Sequence, residues 1–245
     1  MTAPPDWKDV LRIAGRVLEH LDWRVLGDVY FHWGGEAFWS ERRPRVLDLG
    51  GELGRRLLRE LPPGGSSLWV GAGVAELPVL LGEVLLHGRS VVATNLRAEE
   101  CRVLDAGLRA AAPQVALQFS PEDARVAAPA RTFDHLGCIS VFTDPESWPV
   151  LSDVAYGRIA PVQIDVDRFV AERQAARELA AALFARLQRP GVVTTSAEEA
   201  AWFLEQAELA GAAVEATDDL VDTAVVGDPV GFLRVGGAAT ESASG

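Results

Sequence analysis

Apolar residues recur at steps of three and four through the first segment, at Trp7, Val10, Leu11, Ala14, Val17, Leu18, Leu21 and Val25. That spacing predicts an amphipathic helix, and Asp6 followed three residues later by Asp9 predicts a capping box at its start. Over residues 26–45 the periodicity breaks, which predicts irregular chain before a short helical run at 53–61. Beyond Pro62 the pattern changes. Short apolar runs at 68–70, 90–94, 115–119, 135–141 and 192–195 predict strands, with helices from the Gly71-Ala72-Gly73 turn to about His87, over 98–111 and over 166–188. A last helix follows 195, with Ser196 as its N-cap and Glu199 three residues on. Runs at 221–226 and 231–235, joined by Gly-Asp-Pro-Val, predict a hairpin. Strands alternating with helices predict an α/β fold with a largely parallel sheet, to which the hairpin adds an antiparallel strand. Residues 236–245 read as a flexible tail.

Composition narrows the function. The 245 residues suit one α/β domain with a small extension. A net charge of −12 opposes contact with phosphate backbones, so nucleic acid is not an expected partner. The longest apolar region, 68–86, is broken by Glu76, Pro78 and Glu83, so no membrane span is expected. No secretory signal is visible at the amino terminus, and Cys101 and Cys138 read as reduced thiols outside any CxxC spacing, which makes the cytoplasm the expected compartment. Lys8 is the only lysine in the chain. That excludes a P-loop, a Schiff-base enzyme and the Tyr-xxx-Lys pair of short-chain dehydrogenases. The four histidines have no metal-ligand spacing, so no metal is expected.

Val70-Gly71-Ala72-Gly73 ends a predicted strand and opens a predicted helix. Without bulky side chains there, a ligand can approach backbone amides at the positive end of the helix. In open α/β sheets ligands bind beyond the carboxyl ends of strands, where the strand order reverses. Asn95 ends the next strand, 24 residues after Gly71, where nucleotide-binding sheets carry a carboxylate for ribose hydroxyls. Its amide keeps one acceptor for that role, and an Asp there is expected to bind more tightly, by about 1 kcal/mol. Glu122-Asp123-Ala124 follows the third strand, and Asp123 offers an acceptor to an adenine amino group. A second glycine stretch, Val-Leu-Asp-Leu-Gly-Gly-Glu-Leu-Gly at 46–54, is excluded by spacing, because the next strand would end near Gly71 with no polar residue for a ribose. A nicotinamide dinucleotide is disfavoured because the third fingerprint glycine falls at Glu76, which sets a carboxylate toward the pyrophosphate.

The succession Leu-Trp-Val-Gly-Ala-Gly, Thr-Asn-Leu, Pro-Glu-Asp-Ala and Phe-Asp-His-Leu-Gly-Cys-Ile-Ser-Val, within about residues 62–235, resembles class I S-adenosylmethionine-dependent methyltransferases. The resemblance implies a Rossmann-like, doubly wound, mostly parallel seven-stranded sheet with an antiparallel C-terminal strand. Residues 62–235 would form that domain, behind an N-terminal helical and aromatic extension at 1–61. The implied cofactor is S-adenosyl-L-methionine, held by Gly71, Ala72, Gly73, Glu76, Asn95, Leu96, Asp123 and Ala124. Three positions depart from the family pattern. Trp69 stands where an acidic residue is usual, Ala75 replaces the third glycine, and Asn95 replaces the ribose carboxylate; Glu76, near the helix start, is placed to compensate for the first loss.

Methyl transfer from a sulfonium is an in-line displacement, in which the protein chiefly supplies proximity and alignment. The expected activity is methylation of a small-molecule metabolite. In this family the carboxyl end of strand four faces the donor's reactive group, which makes Asp144 the first candidate for a general base or substrate-orienting group. Its alternative is turn capping within Thr-Asp-Pro-Glu-Ser. Tyr30 and His32 form a second catalytic pair. They stand in a concentration of Phe31, Trp33, Phe38 and Trp39 around Gly34-Gly35, either packing that fixes the first helix or a lid over 26–45 that closes on substrate. Two other functions stay open. Val-Gly-Ala-Gly-Val-Ala-Glu-Leu-Pro distantly resembles nicotianamine synthase-like proteins, implying transfer of the donor's aminocarboxypropyl chain, and a non-catalytic scaffold of the same fold is the third reading. A homodimer is left open.

Overall fold

The computed structural model describes residues 4–30, 35–225 and 227–238. Helix α1 (Trp7–Glu19) begins with the expected capping box: Asp6 accepts from Lys8 N (2.8 Å) and Asp9 N (3.1 Å), and Asp9 accepts from Asp6 N (3.2 Å). The apolar stripe continues across a break into a separate helix, α2 (Trp23–Tyr30). The described residues of the stretch expected to be irregular, 26–30 and 35–45, are helical, in α2 and in α3 (Gly35–Glu60), which runs for 26 residues with Pro44 inside it. A Cβ at Gly54 would strike Trp7, and one at Gly50 would lie 2.8 Å from Pro78. The 46–54 stretch is therefore a close helix-packing surface, which the propensity of glycine for turns disguises. Trp39 is 1% exposed and lies tilted against Trp23, with ring centroids 5.2 Å apart, so this aromatic is packing. Phe31, His32, Trp33 and Gly34 lie outside the described residues, as do the side chains of Tyr30 and Phe38.

Eight strands form one sheet. In spatial order they are β3 (Phe119–Ser120), β2 (Ser90–Thr94), β1 (Ser66–Val70), β4 (Phe133–Cys138), β5 (Leu187–Ser196), β8 (Pro229–Ala238) and β6 (Ala212–Ala216), with β7 (Val221–Asp222) paired to β8. The first five run parallel, and β8 is antiparallel to each of its partners. This is a Rossmann-like, doubly wound α/β sheet with an antiparallel C-terminal strand and a helical N-terminal region. The strand beyond the expected seven is β6, an edge strand of half-buried and exposed residues that carries no apolar run. Strand β8 continues to Ala238, opposite Ala212, three residues past its expected end.

Alternation along β1 sorts the core into two layers. Trp69 belongs to the cluster with Leu57 of α3, Leu80 of α4 (Leu77–His87) and Leu104 of α5 (Ala98–Ala111). Leu68 and Val70 belong to the other, with Leu151 of α6 (Pro149–Ala155), Leu183 of α7 (Val166–Phe184) and Phe203 of α8 (Ala200–Leu209). At the amino end of the central strands a full charge is buried. The Arg89 side chain has no exposed surface; its Nε lies 3.1 Å from Glu83 Oε2, its Nη1 donates to Pro62 O (2.9 Å) and Gly64 O (2.8 Å), and its Nη2 donates to Asp134. Glu83 also accepts from Trp69 Nε1 at 2.6 Å and from Ser67 Oγ. The Trp69 ring lies against Gly137 of β4, where any Cβ would overlap it. Trp69 is thereby committed to the core beneath the sheet's ligand end.

Removing one partner of such a buried set leaves the remaining charge without compensation. Arg89→Met is expected to lower unfolding free energy by about 3–5 kcal/mol in urea denaturation. A double variant that also carries Glu83→Leu should recover part of that loss.

Candidate active site

After β1 the chain crosses toward β2, whereas after β4 it crosses toward β5, so the strand order reverses between the neighbouring ends Val70 and Cys138. A cavity of about 340 Å³ opens beyond them, lined by Gly71, Asn95, Leu96, Asp123, Ala124 and Asp144 among others. A second, of about 420 Å³, adjoins it and includes Arg42, Glu76, Tyr156 and Arg158. The two share a wall formed by Gly71, Arg97, Ile139, Ser140, Asp144 and Glu146. Of the residues the resemblance implies for the cofactor, Ala72 and Gly73 line neither cavity, and Glu76 lines only the second.

The turn after β1 needs glycine at Gly71, whose φ is +69° and whose Cβ would sit 2.9 Å from Val141. Ala72 N donates to Thr94 O (3.0 Å), tying the turn to β2. Helix α4 begins only at Leu77, later than expected, and within the intervening turn Gly73 N donates to Glu76 Oε2 at 2.8 Å. Burial pushes the Glu76 carboxyl above the ordinary range, and the Gly73 amide partly offsets this. Asn95 is 3% exposed and its amide is already engaged: Nδ2 donates to Ala72 O (3.0 Å) and Glu100 Oε2 (2.9 Å), and Oδ1 accepts from Arg97 N (2.9 Å). Leu96 projects at the rim, 68% exposed. Asp123 accepts from Arg125 Nε on both oxygens, at 3.0 and 2.9 Å, and this guanidinium holds its carboxyl below the usual range.

Asp144 caps its turn and is also paired at the cavity wall. Its Oδ2 accepts from Ser147 Oγ (2.9 Å), which is turn capping, and its Oδ1 accepts from Arg97 Nη2 (2.9 Å) at the cavity wall. Arg97 also reaches Glu146 at 3.2 Å, so it braces the end of β2 against the loop after β4. Tyr30 enters only through its backbone in α2, and His32 lies outside the described residues. Among the described residues, no group of three His, Cys, Asp or Glu is placed to hold a metal, and no helix is long and apolar enough to cross a membrane.

A set of polar residues not singled out as a site by the sequence lies behind the second cavity. Glu199 was expected to close a capping box with Ser196. Instead Ser196 ends β5, and the Glu199 carboxylate turns inward, where Oε1 accepts from Phe142 N (2.6 Å), Thr143 N (3.0 Å) and Thr143 Oγ1 (3.2 Å). It thus secures the chain leaving β4, while Oε2 is buried without a partner among the described residues. Burial pushes the Glu199 carboxyl up to about 8, more than those three donors lower it. Beside it Tyr156 and Ser140 both donate to Asp228. No local signal joins positions 140, 156, 199 and 228, since 140 falls in a predicted strand, 199 in a predicted cap and 228 in a predicted hairpin turn.

No family model matches the chain, and no curated protein sequence matches it. Solved structures do superpose on it. TrmN from Thermus thermophilus is 17% identical over 75% of this chain, with a TM-score of 0.47; the chain spans about half of that protein's length, 48%. Precorrin-6y C5,15-methyltransferase from Geobacter metallireducens is 14% identical, covering 76% of this chain and 87% of its own, with a TM-score of 0.49. The 16S rRNA methylase RmtB is 17% identical, covering 93% and 74%, with a TM-score of 0.47. All three scores lie below 0.5.

Two expectations follow from this geometry. The sequence alone predicts tighter donor binding for Asn95→Asp; the structure adds a cost to the fold, because a carboxylate at 95 would face Glu100 Oε2 and Ala72 O in place of the amide that now donates to both. Asn95→Asp should therefore lower the melting temperature at pH 7, with recovery at acidic pH when one carboxyl is protonated. The folded chain also holds a proton on Glu199 more tightly than the unfolded chain, whose carboxyl sits near 4.5. The stability this contributes is complete below about 4.5 and is lost as pH rises through about 8. The loss should be on the order of 3–5 kcal/mol between pH 5 and 9, and denaturation across that range should show a flatter profile for Glu199→Gln.

Proposed function

We propose that the chain is an S-adenosyl-L-methionine-dependent transferase, a methyltransferase acting on a small-molecule metabolite. The observation that carries this reading is the pair of adjoining cavities at the strand-order reversal, with a shared wall across which a donor and an acceptor can meet. The residues fit such a donor. Gly71 keeps the wall open where a Cβ would press on Val141. Leu96 offers an apolar edge and Asp123 an acceptor to an adenine. Asn95 Oδ1 offers the ribose its remaining lone pair, which is a weaker hold than a carboxylate provides. Glu76, raised by burial, would be relieved by the donor's ammonium group, which supports its standing in for the acid absent at position 69.

The bound donor supplies a carbon activated by its sulfonium, and the chain's own contribution is to hold the acceptor in line with it and exclude water. Asp144 is fixed by Arg97 and Ser147, which suits it to orienting a substrate more than to removing a proton. Calorimetry with S-adenosylhomocysteine tests the reading directly. Saturable binding that Gly71→Leu weakens at least tenfold, with cooperative melting retained, is the expected result. Chromatography of spent donor then assigns the reaction: S-adenosylhomocysteine marks methyl transfer, and methylthioadenosine marks aminocarboxypropyl transfer. A wild-type protein that binds neither donor nor product would be a scaffold.

A further inference from the structure

The polar residues behind the second cavity form a hydrogen-bonded chain that the donor site does not need. Tyr156 lines that cavity, and its hydroxyl donates to Asp228 Oδ2 at 2.6 Å. Asp228 is 6% exposed, and the same Oδ2 accepts from Ser140 Oγ at 2.8 Å. Ser140 reaches it from the carboxyl end of β4 with φ of +54°, a left-handed conformation that strains a residue with a Cβ. A glycine at 140 would avoid that strain but would bring no hydroxyl to Asp228. Strain held at the meeting point of both cavities, in a residue aimed at a buried carboxylate, marks an arrangement that holds Asp228 in place.

With its own proton turned toward Asp228, the phenol oxygen of Tyr156 faces the Thr143 hydroxyl and keeps acceptor capacity for a hydrogen-bond donor in the cavity that both residues line. We propose that Tyr156 and Asp228 are the proton-accepting pair of this site, that Ser140 is their positioning residue, and that the acceptor substrate is a small amine or alcohol whose N–H or O–H must be removed. This rests on the transferase reading above. As the nitrogen or oxygen lone pair forms its bond to the incoming carbon, the acceptor's proton passes to the Tyr156 oxygen and the phenol proton passes to Asp228 Oδ2. The electron pair of the broken carbon–sulfur bond stays on sulfur and neutralises the sulfonium. Tyr156 is the catalytic residue of the pair, and Asp228 acts through it. The charged groups facing them are Arg158, whose guanidinium stacks 4.5 Å from the Tyr156 ring, and Glu199, reached through Thr143.

The unloaded protein gives the first test. The chain has two tyrosines, so in a Tyr30→Phe background the only phenol is Tyr156. Its ionisation, followed by near-ultraviolet absorbance, should move down by about one pH unit or more on Asp228→Asn, because the carboxylate that now opposes phenolate formation is gone. An unchanged titration overturns the pair. The second test supplies methyl-labelled S-adenosyl-L-methionine with a deproteinised pool of small metabolites. Tyr156→Phe and Asp228→Asn should bind S-adenosylhomocysteine as the parent does while transferring label about a hundredfold less, and Asp228→Glu should restore part of the transfer. Full transfer by Tyr156→Phe overturns the proposal, as does a wild-type protein that binds S-adenosylhomocysteine and labels nothing. Absence of S-adenosylhomocysteine binding would instead overturn the transferase reading, while the phenol titration decides independently whether Tyr156 and Asp228 are coupled.

Discussion

Arg89 brings a permanent charge to a position where its side chain meets no water, and its need for acceptors sets the positions of the segments around it. Its three nitrogens draw on the loop before β1, on Glu83 of α4 and on Asp134 of β4. A lysine could present only a compact point charge there, whereas the planar guanidinium serves several directions at once. Because Glu83 also accepts from Ser67 and Trp69, one buried group links β1, β4 and the helix between β1 and β2. The strand-order reversal lies at the opposite ends of those same two strands. What fixes the floor of the sheet thus fixes the spacing of the walls above it.

The sequence was most legible where local signals agreed with one another. Strand β2 and helix α5 fall where the alternation and periodicity put them, and the Asp6–Asp9 capping box is formed as its spacing predicts. It was least legible where packing overrode propensity. The glycine stretch at 46–54, which has the look of a ligand-binding motif, lies inside α3, and β6 lacks an apolar run because it sits at an edge. Ser196 and Glu199 have the spacing of a cap, but Ser196 remains in β5 and the long side chain of Glu199 finds amides on the loop after β4. That choice depends on distance in space, which a single sequence does not encode. The candidate site shows the same division. Gly71, Asn95, Asp123 and Asp144 could be assigned to strand ends by counting, whereas Tyr156 and Asp228 come together only in three dimensions.

Acidity is distributed unevenly between the two sides of the site. On the first cavity, Asp123 is held by Arg125, which favours its ionised form, and Asp144 is paired with Arg97. Behind the second, Glu199 has backbone amides and a hydroxyl but no cation beside it among the described residues, and burial dominates its titration. One fold therefore maintains carboxyls of unlike character within the loops of a few neighbouring strands, and the difference follows from whether a guanidinium can reach them.

The Trp7 ring lies between two glycines on different helices. A Cβ at Gly54 would overlap it, and one at Gly82 would come within 2.5 Å of it. Neither glycine can acquire a side chain while the indole is in place, and the indole cannot shrink without opening a void between α1, α3 and α4. The three positions consequently behave as a single inherited unit, although 75 residues of sequence separate the first from the last. Among descendants of this chain, drift at any one of them should be accompanied by change at the others.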